Sequence, residues 1–232
     1  MASEVSERLA RVNDRIHAAA ARACRSADEV RLIAVSKTVD AVLIQQAVDA
    51  GIHDFGENKV QEAVKKAPAV TGAGLRWHLI GHLQSNKVRI AVTTFDFIHT
   101  VDSAELVKRL DRIAAETGRR PSVLVQLKLT EEPTKSGADE EFLPGIIESL
   151  DAAAHLDFKG LMGIGPADGS AEDARPYFKK LRSIFEGFNS SRTSERKLTE
   201  LSMGMSNDFE VAIEEGATMI RVGTAIFGPR QQ

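Results

Sequence analysis

Arg31-Leu-Ile-Ala-Val-Ser-Lys37-Thr38 is the first apolar run of the chain, and it closes on a lysine. Met219-Ile-Arg-Val-Gly223-Thr224-Ala-Ile-Phe-Gly228 is the last, and its core closes on a glycine-threonine turn. Between them, short apolar runs alternate with longer helical patterns. Candidate strands fall at 31–36, 52–55, 76–80, 96–100, 122–128, 158–163, 198–202 and 218–222. Helical patterns follow at 39–50, 57–67, 84–92, 103–118, 139–154, 170–188 and 207–215. Unbroken alternation of this kind builds parallel strands joined by crossover helices. Ser122-Val-Leu-Val-Gln-Leu is apolar nearly throughout, which suits a strand covered on both faces. The pattern predicts an α/β fold, a (β/α)8 TIM barrel with an extra N-terminal helix. In a closed barrel the first and last strands are neighbours. Lys37 then stands beside Gly223-Thr224 at the mouth, where such barrels do their chemistry.

The extra helix covers 3–26, where Val5, Leu9, Val12, Ile16, Ala20 and Cys24 recur at spacings of three or four and form one apolar stripe. Asp40, Ser103 and Asp139 stand near helix starts; Gly51, Gly118 and Gly216 follow helix ends. An open doubly wound sheet is the competing architecture. The first strand is not followed by Gly-x-Gly-x-x-Gly, which weakens any dinucleotide-binding version of it.

The 232 residues fit one barrel domain over 1–232, with no linker, low-complexity tract or repeat. A chain of this length buries roughly 70% of its unfolded surface and needs no disulfide or metal staple. Net charge is -3 with both signs interspersed, so no basic stripe argues for nucleic acid. Aromatics make up only 5%, which argues against base-stacking platforms. One cysteine, Cys24, cannot pair within the chain and suits a reducing cytoplasm. The amino terminus has neither a positive n-region nor an apolar h-region, and no apolar stretch approaches membrane-spanning length.

Side chains alternate along a strand, so Ile33, Val35 and Lys37 share one face. If that face is the interior, the amine emerges at the strand's carboxyl end. Desolvation, or a neighbouring cation such as Arg221, would favour its neutral, nucleophilic form. A lysine snorkelling into solvent is the competing reading. The loops after strands seven and eight are the usual phosphate site of such barrels. Here they are Ser202-Met-Gly-Met-Ser206 and Gly223-Thr224. Gly223 admits a ligand to the backbone, Thr224 adds a hydroxyl, and Ser206 precedes a helical pattern whose amides could meet an anion. As ordinary structure, Ser206 is an N-cap and Gly223 a turn glycine. An amine beside a phosphate pocket suggests a Schiff base with a phosphorylated aldehyde.

Arg221 shares parity with Gly223. Pointing inward, it would donate to a pyridine nitrogen and hold it unprotonated, a poor electron sink; otherwise it is a buried ion pair with Glu57 or Asp208. Trp77-His78-Leu-Ile-Gly81-His82 straddles a strand end and brings no clustered carboxylate or cysteine, so a zinc site is rejected. His78 either lines the pocket or is structural. Asn58, in Gly56-Glu57-Asn58-Lys59 after strand two, could reach the mouth, while Glu57 reads equally as a first-turn carboxylate. Thr134-Lys135-Ser136-Gly137 puts a second lysine after strand five.

Ala34-Val-Ser-Lys37, Phe55-Gly-Glu-Asn58, Trp77-His-Leu-Ile-Gly81, Leu83-Gln-Ser-Asn-Lys87, Lys135-Ser-Gly137, Gly160-Leu-Met162, Leu201-Ser-Met-Gly-Met-Ser206 and Arg221-Val-Gly-Thr-Ala-Ile-Phe-Gly228 together resemble the pyridoxal-phosphate homeostasis protein family. The resemblance runs from about residue 30 to the end, in the family's order. That family looks like the barrel domain of alanine racemase standing alone. The resemblance implies pyridoxal 5'-phosphate (PLP) as cofactor and Lys37 as the lysine of its internal aldimine. It also implies that Ser206, Gly223 and Thr224 hold the phosphate and that Arg221 faces the pyridine nitrogen. Asn58 and His78 lie in family motifs and are carried over as further cofactor contacts. Gly163-Ile-Gly-Pro-Ala departs from the bulkier or polar residues expected there and puts that pocket wall in question.

Three functions compete: a PLP carrier or buffer in vitamin B6 homeostasis, an amino-acid racemase, and a cofactor-free Schiff-base aldolase. A two-base racemase needs an acid/base on each face of the substrate carbon. In the alanine racemase family a tyrosine from the neighbouring subunit's second domain supplies one of them. Here no second domain is expected, and the one tyrosine, Tyr177, falls in a helical pattern outside the barrel. The carrier is therefore preferred, as a non-enzymatic, monomeric cytoplasmic protein that contacts PLP-dependent apoenzymes transiently. Lys135 is a candidate second docking amine during transfer.

Overall fold

The computed structural model describes residues 3–130 and 136–229. Among these residues eight strands close into a barrel in sequence order: β1 (Arg31–Val35), β2 (Asp54–Glu57), β3 (Arg76–Leu79), β4 (Phe97–Val101), β5 (Ser122–Leu127), β6 (Asp157–Gly163), β7 (Glu200–Met205) and β8 (Met219–Val222). Every pairing is parallel. β1 returns to β8 with Ile33 opposite Arg221 and Ala34 opposite Val222, so the seam closes as the alternation requires.

The helices are α1 (Glu4–Arg22), α2 (Ala41–Asp49), α3 (Val60–Lys66), α4 (Val88–Thr94), α5 (Ala104–Thr117), α6 (Leu143–Ala152), α7 (Arg175–Ser190), α8 (Phe209–Glu214) and α9 (Thr224–Phe227). Asp40 caps α2 by accepting the Leu43 amide, and Ser103 caps α5 through the Leu106 amide. Asp139 precedes a 3-10 turn at Glu140–Phe142 and makes no side-chain cap bond.

α1 buries Val5, Leu9, Val12, Ile16, Ala19 and Ala20, each side chain contributing about 1.5–3 kcal/mol when aliphatic and fully covered, less for alanine. That face packs on α2, α8 and α9. The helix after β8 is a single short turn, so α1 coats the outside of the closing seam. The stripe ends earlier than the spacing predicts. The helix stops at Arg22, and Cys24, in a left-handed conformation with φ 54°, is exposed.

Two apolar layers result. The large one lies between strands and helices; a small one of Ile33, Phe97, Leu124, Met162 and Met219 fills the barrel interior. His78, His99, Ser202 and Arg221 are buried among the strands as well. β7 carries an irregularity between Ser202 and Met205, where Gly204 takes φ +90°. A Cβ on Gly204 would also lie 2.5 Å from the Ala212 Cβ, so both conformation and space require glycine.

Candidate functional site

A cavity of about 400 Å³ opens at the carboxyl ends of the strands, within the usual size of a small-molecule site. The residues after β1, β2, β3, β6, β7 and β8 build its wall. Lys37, Asn58, Ser206, Arg221, Gly223 and Thr224 all line it, so six of the seven candidate residues converge on one space.

Lys37 is half-buried and follows the fully buried Ser36. Its chain segment is gripped from outside the barrel. Ser36 Oγ donates to Glu57 Oε1 at 2.7 Å. Lys66 Nζ, from the end of α3, donates to the Ser36 carbonyl at 2.8 Å, to Glu57 Oε1 at 2.9 Å and to Glu62 Oε2 at 3.0 Å. The Thr38 amide also donates to Glu62 Oε2, at 3.0 Å. Thr38 itself sits at φ 63°, costly for a β-branched residue and held by this cluster. Burial raises the Glu57 carboxyl above its ordinary value, opposed by donation from Lys66 and Ser36. Burial also works against the Glu62 carboxylate, but the Thr38 amide and Lys66 outweigh it and hold that group low. Glu57 thus serves neither as a loose first-turn carboxylate nor as a partner of Arg221; it anchors the lysine segment.

At the seam, Ser206 Oγ accepts the Gly223 amide at 3.1 Å. Ser206 is not an N-cap: α8 starts at Phe209 behind Asp208, and the irregular end of β7 turns Ser206 toward β8 instead. Gly223 precedes α9, whose internal bonds begin at the Ile226 amide. The Thr224 and Ala225 amides therefore have no acceptor within that turn. A hydroxyl pair and backbone amides meet here at the cavity wall, a donor set suited to an anion.

Arg221 is 3% exposed. It donates from Nη1 to Ser202 Oγ at 2.6 Å and from Nη2 to the Gly163 carbonyl at 3.0 Å. Burial lowers its guanidinium to about 10, and the nearby Asp208 charge pulls the other way, so it is still a cation at neutral pH. Two bonds to separate strands fix the guanidinium plane while it lines the cavity.

His78 does not line the cavity and corrects the expectation that it contacts the ligand. It pairs in register with Gly56, below Ile80, which does reach the wall. Its ring is wholly buried, stacked on Phe97 with centroids 4.6 Å apart, and both nitrogens are engaged by Asp54 and His99. His82 points elsewhere, toward Asp102 at 3.7 Å. Lys135 lies outside the described residues.

The sequence reading missed His99, Asp54 and Lys66; it did mark residues 163–167 as pocket wall, which the structure extends through Asp168 and Ser170. An ionisable residue in the middle of a buried strand, as at His99, was the available signal. Tyr177 packs against the outer apolar layer and is not among the residues that line the cavity.

A family model described as alanine racemase, N-terminal domain, matches residues 8–231. A pyridoxal phosphate homeostasis protein from Aquifex aeolicus is 40% identical over 225 residues, covering 97% of this chain and 98% of the relative. PipY from Synechococcus elongatus is 42% identical, with 97% of this chain and 100% of that chain covered. Its TM-score is 0.88 without PLP and 0.86 with PLP bound. Alanine racemase from Clostridium difficile, at 15% identity and a TM-score of 0.70 over 96% of this chain and 57% of its own, shares the fold. The chain belongs to the alanine racemase N-terminal domain family and, within it, to the pyridoxal phosphate homeostasis proteins.

Proposed function

We propose that this chain binds PLP reversibly and acts in vitamin B6 homeostasis as a carrier or buffer of the cofactor. The observation that carries this reading is convergence: one amine, one buried guanidinium and one cluster of amides and hydroxyls share a single cavity. That set fits a flat pyridine aldehyde with a phosphate ester. A relative that is 42% identical, PipY, has been solved with PLP bound.

When bound, the cofactor supplies an aldehyde that condenses reversibly with an amine. Lys37 Nζ is that amine, set at the rim by the Glu57–Lys66–Glu62 cluster. Ser206, Gly223 and Thr224 receive the phosphate. Arg221, a fixed donor, faces the ring nitrogen and keeps it unprotonated, which leaves the ring a weak electron sink. Asn58 closes the wall between Lys37 and Ile80. Tyr177 stands outside the cavity, so it is no partner for Lys37 in two-base chemistry. Holding and releasing, rather than turnover, is what this set of groups does.

Spectrophotometric titration with PLP tests the reading. The chain develops a shifted visible band. Lys37→Ala abolishes the band yet keeps part of the affinity for pyridoxamine phosphate, which has no aldehyde to condense. Loss of both together would show that the anion pocket lies elsewhere. Loaded protein mixed with a PLP-dependent apoenzyme should activate it on a time course different from free PLP. Amino-acid racemisation that tracks Lys37 would replace the carrier with an enzyme.

A further inference from the structure

Five buried polar side chains cross the barrel interior in contact with one another. Arg221 Nη1 lies 2.6 Å from Ser202 Oγ. Ser202 Oγ lies 3.0 Å from His99 Nδ1. His99 Nε2 lies 2.9 Å from His78 Nδ1, and His78 Nε2 lies 2.8 Å from Asp54 Oδ1. Arg221 and Asp54 are 3% and 5% exposed, and the three residues between them 0%.

The chemistry of the two ends gives this row a direction. A guanidinium only donates, and a carboxylate only accepts. Asp54 accepts from His78 Nε2–H, so a neutral His78 has a bare Nδ1 that must receive a proton. Among the described residues, His99 Nε2–H is the donor that faces it. His99 then has a bare Nδ1, which must receive the Ser202 hydroxyl proton. Ser202, having donated, accepts from Arg221. Each bond fixes the next, and one tautomer satisfies every position. Burial holds both imidazoles neutral by lowering them below the ordinary histidine value, with the Arg31 charge adding to the effect on each. Asp54 is further held ionised by Arg76, at 2.7 Å from its other oxygen.

We propose that this one-way row of hydrogen bonds, Arg221 to Ser202 to His99 to His78 to Asp54, orients the Arg221 guanidinium at the cavity, making His78 and His99 positioning residues for the ring that Arg221 meets. The proposal rests on the reading above only for the identity of that ring. Arg221 is anchored by hydrogen bonds to the Ser202 hydroxyl and the Gly163 carbonyl, with the Asp208 charge nearby. A serine hydroxyl rotates freely unless its proton has a fixed acceptor. His99 Nδ1 is that acceptor, and the Asp54 charge at the far end polarises every bond between, strengthening Ser202 as an acceptor for Arg221. The register of a cofactor-facing arginine is thus set from the opposite end of the barrel.

Two measurements test this. In ligand-free protein at neutral pH, long-range nitrogen-proton NMR of the imidazoles should find His78 and His99 both neutral with the proton on Nε2. A proton on Nδ1 of either ring, or a cation at either, would overturn the row. This arm needs no cofactor, so its outcome is independent of whether PLP binds. In the PLP-loaded protein, His99→Phe should move the visible band and weaken PLP about tenfold, the effect of one impaired buried hydrogen bond. His99→Gln, which restores an acceptor toward Ser202, should recover much of both. A folded His99→Phe protein with the parent band and affinity would overturn the proposal.

Discussion

Lys66 Nζ donates to the Ser36 carbonyl across 2.8 Å, tying the end of α3 to the residue that precedes Lys37. Lys66 is the cation of a largely buried cluster, and Glu57, 0% exposed, has one carboxylate oxygen with no hydrogen-bond partner among the described residues. Lys66→Met removes the cation and leaves that carboxylate buried with only the Ser36 hydroxyl as donor, and should cost about 3–5 kcal/mol in urea unfolding. The double variant Glu57→Gln/Lys66→Met should lose less than Lys66→Met alone. An equal or larger loss in the double variant would mean that the pair is not the anchor described.

The buried histidines make stability depend on pH. Burial depresses both His78 and His99 below 6.5 in the folded chain. Above that value neither state binds the extra proton, and the contribution is fully present. As pH falls through 6.5 and toward the folded values, the unfolded chain takes up protons that the folded chain refuses, and stability is lost. The slope approaches about 1.4 kcal/mol per pH unit per histidine. Glu57 works with the opposite sign: its raised carboxyl loses stability as pH rises above 4.5. Urea midpoints between pH 5 and 7.5 are therefore best read in a Glu57→Gln background, with His99→Gln expected to flatten the slope (about half, if the two rings contribute alike).

Gly81 touches Asn58 so closely that a Cβ would lie 2.3 Å from its carbonyl oxygen and 2.8 Å from its Cα. Those are backbone atoms and cannot swing aside. Gly81→Ala should push Asn58 out of the cavity wall, costing about 1–3 kcal/mol of stability and weakening PLP about tenfold or more. Gly145, in the first turn of α6 with open space where a Cβ would go, is the control. Gly145→Ala should stabilise by up to about 1 kcal/mol and leave PLP titration unchanged.

Ser206→Ala removes the acceptor of the Gly223 amide and one hydroxyl from the seam. PLP should weaken about tenfold while non-phosphorylated pyridoxal is unaffected. Equal weakening of both would place the phosphate away from this seam.

The strands were legible because each is a short apolar run between polar helical patterns, and β5 and β8 read almost as plainly as they fold. Lys37, Gly223 and Thr224 followed from barrel closure alone, since β1 and β8 must meet. What escaped the sequence were contacts between residues far apart in it. Lys66 reads as one basic residue among several on a polar helix, and only packing against β2 turns it inward. His99 interrupts Phe-Ile-His-Thr-Val as its one ionisable letter, and nothing local says that its ring meets His78 and Ser202. The start of α8 was misplaced for a related reason: the irregular end of β7 delays the helix to Phe209, so Ser206 lines the cavity without capping it.

Because α1 completes its packing on α8 and α9, with Arg15 bridging to Glu210 across 195 positions of sequence, a segment synthesised early waits for one synthesised much later. Until α8 and α9 emerge, the stripe of Val5, Leu9, Val12 and Ile16 lacks most of the surface it rests on. Such distant partners raise contact order and slow folding. In this fold the N-terminal helix can complete its cover only when the C-terminal end of the barrel is present, so the first-made segment is among the last to be fully packed.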